Sequence, residues 1–134
     1  MTKQYSCYHI CSGSKKTILS ELREIFGDSS HPEMLLHHIT EIFPKGKQRV
    51  KLPEPPEKVM VIGYLKTALV EAAVVEIDGN STRPEGGTYH CTISIDREAG
   101  GKPVMVNTAL REIGFARIRV PFEIDVIPAL ENVG

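Results

Sequence analysis

The sequence predicts an α+β domain. Its His90 stretch, Thr88-Tyr89-His90-Cys91-Thr92-Ile93-Ser94-Ile95, and the run from Ala116 to Val126 both alternate with the two-residue period of half-buried strands. By contrast, Ile18, Leu19, Leu22, Ile25 and Phe26 repeat at helical spacing between Ser14 and Gly27. The elements then read in the order strand, helix, strand, strand, strand, strand, helix, strand, which lacks the regular alternation of a parallel α/β sheet.

Length and composition set the outer bounds. A chain of 134 residues with 41% hydrophobic and 25% charged residues is long enough for one domain with a buried core. No apolar run reaches membrane-spanning length, and Met1-Thr2-Lys3-Gln4-Tyr5 lacks an apolar signal segment, so a cytoplasmic location is expected and no membrane partner. Three cysteines, Cys7, Cys11 and Cys91, without paired spacing argue against a disulfide framework. A formal net charge of −1 argues against a partner as polyanionic as long nucleic acid. The basic cluster Lys45-Gly46-Lys47-Gln48-Arg49-Val50-Lys51 reads either as a solvated loop or as an arm that draws in a phosphorylated ligand.

Taken in order, Tyr5 to Cys11 forms the first predicted strand, with Tyr8 and Ile10 on one face and Cys7, His9 and Cys11 on the other. Ser14 is the expected N-cap of the first helix and Gly27 its stop. From Leu35 to Phe43 the apolar positions suit either period. The β-branched Ile39, Thr40 and Ile42, and the stop at Pro44, favour a strand after a short turn at Pro32 to Met34. Leu52-Pro53-Glu54-Pro55-Pro56-Glu57 is a stiff connector, residues 53–57 forming a natural hinge. Val59 to Lys66 and Leu69 to Asp78 read as a hairpin pair, followed by a turn-rich loop and the His90 strand. A helix capped by Asn107 is expected to end near Ile113 and Gly114. The last strand contains Pro121, which suggests a sheet edge.

The chemistry lies in two matching tripeptides, His38-Ile39-Thr40 and His90-Cys91-Thr92. In a strand, residues two apart share a face, so each tripeptide aims an imidazole and a hydroxyl the same way. Phosphoryl transfer needs one proton removed from the attacking oxygen and another given to the leaving oxygen, on opposite sides of phosphorus. Histidine suits both tasks because its ordinary pKa, about 6.5, keeps both forms populated. Threonine hydroxyls can hold the non-bridging oxygens, where negative charge develops. His38 and His90 are therefore the expected catalytic pair, and Thr40 and Thr92 the expected phosphate contacts. Tyr89, Arg83, Lys102, Lys45 and Lys47 are further candidates for substrate contact, although alternation also places Tyr89 on the core face. An alternative use of Cys7, His9 and Cys11, with His31 or His37, is zinc binding, but alternate spacing on one strand is unlike a finger or ribbon.

Two His-x-Thr motifs on β segments half a domain apart resemble the signatures of the 2H phosphoesterase superfamily. The stretch from His90 to Lys102-Pro103-Val104 is especially similar to small phage and bacterial members. The resemblance spans approximately Leu35 to Ile113. It implies a bilobal 2H phosphoesterase-like fold, with two antiparallel β-sheet lobes and flanking helices around a central cleft. One lobe would cover about residues 1–52 and the other about 58–134. It further implies metal-independent cleavage of phosphodiesters that carry a ribose 2'-oxygen, with no cofactor. A small nucleotide substrate is expected, either a 2',3'-cyclic phosphate or a cyclic oligonucleotide signal. In a phage setting, the latter would be a host defence messenger, degraded in the host cytoplasm. The alternatives are a non-catalytic nucleotide-binding module and an enzyme that processes RNA ends.

Overall fold

The computed structural model describes residues 3–27 and 29–133 and is built from eight strands and two helices in an α+β arrangement. In chain order these are β1 (Gln4–Ile10), α1 (Ser12–Phe26), β2 (Glu33–Met34), β3 (His38–Ile42), β4 (Val59–Lys66), β5 (Val70–Ile77), β6 (His90–Ile95), α2 (Met105–Glu112), β7 (Ala116–Ile124) and β8 (Val126–Asn132). The strands form a single antiparallel sheet in the order β7-β4-β5-β6-β3-β1-β8, and β2 pairs with β6 beside this path.

Along α1, Ser14, Ile18 and Leu22 are buried at four-residue spacing, one stripe of the helix surface. Gly27 ends the helix at a φ of 69°, a conformation that costs glycine little, and its N–H bonds the Arg23 carbonyl at 2.8 Å. The helix begins two residues before the expected cap. Cys11 is the N-cap, while Ser14 turns inward and its Oγ accepts the Asp125 N–H at 2.7 Å.

Asp125 also ends the alternating run predicted as one strand from Ala116 to Val126. Its N–H goes to Ser14 and its carbonyl accepts the Cys11 N–H at 3.0 Å, so both backbone groups leave the sheet ladder. The chain therefore divides into β7 and β8, at opposite ends of the strand order. Because one residue joins those two ends, the sheet has to bend round on itself. Pro121 does lie on an edge strand, β7.

Each face of the sheet has its own core. Ile18 and Leu22 of α1 pack with Tyr8, Ile39, Val61, Val75, Cys91, Ile93 and others on one side. Val106 and Ala109 of α2 pack with Leu65, Val70, Ala72 and Ile95 on the other. Ile95 departs from the predicted alternation, which grouped it with Cys91 and Ile93. Between Ala72↔Thr92 and Glu71↔Ser94, β6 carries one more residue than β5, a bulge that changes which way the following side chains point. Ser94 consequently bonds the buried Glu71 at 2.7 Å, and Ile95 joins the α2 side.

The two predicted hairpin strands pair as expected, as β4 and β5. The predicted strand from Leu35 to Phe43 shortens to β3, because Leu36 takes a left-handed φ of 48°. The predicted turn at Pro32 to Met34 includes the short strand β2. The second helix starts at Met105, two residues before the expected Asn107 cap. No helix among the described residues is long and apolar enough to cross a membrane.

Candidate active site

The middle residues of the two His-x-Thr tripeptides, Ile39 and Cys91, are register partners between β3 and β6. Both are fully buried in the core on the α1 side. Their flanking residues must then point to the opposite face, since a strand alternates. Antiparallel register further sets His38 across from Thr92 and Thr40 across from His90, with Cβ atoms of such cross-strand neighbours about 5 Å apart. Each histidine thus stands beside the other motif's threonine, a locally two-fold arrangement.

All four side chains line one pocket of about 730 Å³. Its remaining walls include Tyr5 from β1, His37 and Leu35 before β3, Phe43 after it, Arg83 from the β5–β6 loop, and Pro103, Val104 and Asn107 at the start of α2. Tyr5 and Phe43 stack with ring centroids 5.6 Å apart, and Tyr5 tilts against the His38 ring at 5.4 Å.

The histidines are held differently. The Nδ1–H of His90 donates to the Thr88 carbonyl at 2.9 Å, since a carbonyl only accepts; this leaves Nε2 free for chemistry. Burial, helped by the Arg83 charge, pushes its pKa down, and the Thr88 bond partly opposes this. His38 has Nδ1 2.9 Å from Nδ1 of His37 and Nε2 3.4 Å from the Tyr5 hydroxyl. Burial, then the neighbouring His37 and His9, hold its pKa down at about 4, and Glu131 acts in the other direction. Without a ligand, both imidazoles are therefore predominantly neutral at pH 7.

Arg83 is the one arginine or lysine among the lining residues. Its Nε donates to the Glu41 carbonyl at 3.1 Å and Nη2 to Glu85 at 2.8 Å, so the side chain is fixed in place. The other cations proposed from sequence lie elsewhere. Lys102 and Lys45 are not among the lining residues, and Lys47 lines a second pocket with Lys3, Gln4 and Arg49. Tyr89 is packed in the core rather than exposed to the site.

Sequence reasoning did not single out Tyr5, Phe43, Val104 or the pocket role of Asn107. For Tyr5 a signal existed, because alternation places it on the face of Cys7 and His9. The pairing of His9 with His38 across β1 and β3, which carries that face into the pocket, has no local sequence mark. No protein-family model, curated protein or solved structure matches the chain.

Proposed function

We propose that the chain is a 2H-type phosphodiesterase, with the pocket as a cleft between two lobes that meet along β3 and β6. Although the expected second lobe ran over residues 58–134, β8 lies beside β1 on the β3 side. The carrying observation is that His38, Thr40, His90 and Thr92, from two distant stretches of sequence, line the same pocket in paired register. A phosphate seated between the strands is flanked by one imidazole on each side. One histidine removes the proton from the attacking oxygen, the ribose 2'-hydroxyl or a water. The other gives a proton to the leaving oxygen as the P–O bond breaks. Thr40 and Thr92 donate to the non-bridging oxygens, and Arg83 adds a fixed positive charge. Every step uses side chains of the chain itself.

The substrate is a small nucleotide, because one pocket with one lining arginine suits one or two phosphates better than a long polyanion. A 2',3'-cyclic phosphate and a cyclic oligonucleotide signal both satisfy this, and the Tyr5–Phe43 pair offers a flat surface for a base. Chromatography of products after incubation with cyclic mono-, di- and trinucleotides and with 2',3'-cyclic ends tests the reading. Cleavage of at least one small nucleotide is expected. Binding with no product would leave a nucleotide-binding module, and faster degradation of long RNA than of any small nucleotide would overturn the substrate class. A 2',3'-cyclic phosphate, whose 2'-oxygen is already esterified, can be opened only by water. For a cyclic oligonucleotide with a free 2'-hydroxyl, attack by that hydroxyl means that the 2'-deoxy analogue binds uncut, and equal cleavage would show that water attacks directly.

A further inference from the structure

We propose that His9, His37 and Glu131 form a binding site for a divalent transition metal, zinc being the best fit. These residues come from β1, the segment before β3, and β8, three neighbouring parts of the sheet. One ligand atom from each lies within 4.8 Å of the other two. Nε2 of His9 is 2.5 Å from Oε1 of Glu131, and the His9 and His37 rings sit with centroids 4.9 Å apart. Two imidazoles and one carboxylate are a familiar zinc donor set that leaves a fourth position for water or an incoming group. Ligand atoms around zinc lie about 2.0–2.2 Å from the ion, so small rotamer movements close the existing triangle. His37 is exposed and the other two are half-buried, which leaves an entry path from solution. The donor set differs from the cysteine-containing one weighed from sequence: Cys7 is fully buried, and Cys11 is the N-cap of α1.

The site does not depend on the proposed reaction, but it adjoins it. His37 contacts His38 directly, so a metal held by His37 would put a positive charge beside the first His-x-Thr motif.

Calorimetric titration of the full chain with ZnCl2, after chelator treatment and with the one accessible thiol, Cys11, blocked, tests the proposal by binding alone. The wild type should take up one equivalent, and its melting temperature should rise with zinc. H9Q, H37Q and E131Q should each weaken zinc binding by roughly tenfold or more, the scale on which even supporting residues of a metal centre act. Circular dichroism checks that each variant is folded, and any one folded variant is decisive. Absence of one-equivalent binding in the wild type, or unchanged affinity in a folded variant, overturns the site. Neither result bears on whether nucleotides are cleaved, which the product assay reads separately.

Discussion

His38 and His90 have each given up part of their hydration to line the pocket, and this fixes what the free protein can do at a given pH. A two-histidine reaction needs one imidazole neutral and the other protonated, and the population of that state peaks between the two pKa values. With His38 held near 4 and His90 below the ordinary 6.5, kcat/KM should be bell-shaped with its optimum on the acid side of neutrality. In the complex, the substrate's negative charge favours imidazolium, so the optimum of kcat should lie higher. Both profiles are best measured with chelator present. A kcat/KM optimum above neutrality would contradict the buried surroundings of the two histidines. Thr92→Val removes a hydroxyl expected to donate to the developing charge. It should lower kcat by roughly 10- to 1000-fold with little change in melting temperature, read by steady-state kinetics and thermal denaturation.

At the scale of elements, close approaches and register decide the outcome. Gly63 lies where β4 shifts register against β5 and β7. A Cβ there would sit 2.3 Å from the Phe115 ring and 2.9 Å from the Ala116 carbonyl. Gly63→Ala should therefore destabilise the fold by about 1–3 kcal/mol, read by denaturant unfolding, as overpacked cores do. Unchanged stability would mean that β7 does not pass this close. Glu71 joins α1, β4, β5 and β6 through Arg23, Tyr64 and Ser94. Burial pushes its carboxyl up, but those three hydrogen bonds and the Arg23 charge outweigh burial and hold it below its ordinary value. Most elements were legible from periodicity: β4, β5, α1 and the start of the His90 strand follow directly from residue spacing. Two features were not. The split at Asp125 depends on backbone bonds to Cys11 and Ser14, more than a hundred residues earlier. The bulge before Ser94 shows only in the register of β6 against β5. Likewise the His-x-Thr motifs were readable as tripeptides, whereas the Ile39↔Cys91 register that joins them is a tertiary fact.

For the whole molecule, burying histidines in the site links stability to pH. A histidine whose folded pKa lies below its unfolded value binds protons more readily when unfolded. Its contribution is fully present above about pH 6.5 and is lost as pH falls through the folded value, for His38 between about 6.5 and 4. The double variant His38→Gln, His90→Gln should show a shallower loss of stability over this window than the wild type. Parallel curves in urea denaturation at successive pH values would argue against buried neutral imidazoles. The direct pairing of β3 with β6, in the middle of the strand order, brings His38 and His90 into one pocket from distant parts of the chain.

The claim that these two histidines act on one phosphate is tested most directly by turnover of the best small nucleotide substrate. The comparison runs across wild type, His38→Ala, His90→Ala and the double variant, all shown to be folded. Each single variant should lose about 10²- to 10⁴-fold in kcat, and the double should lose less than the product of the two losses, since the groups work as a unit. Folded single variants that turn over at the wild-type rate, or losses that simply multiply, would contradict a paired mechanism.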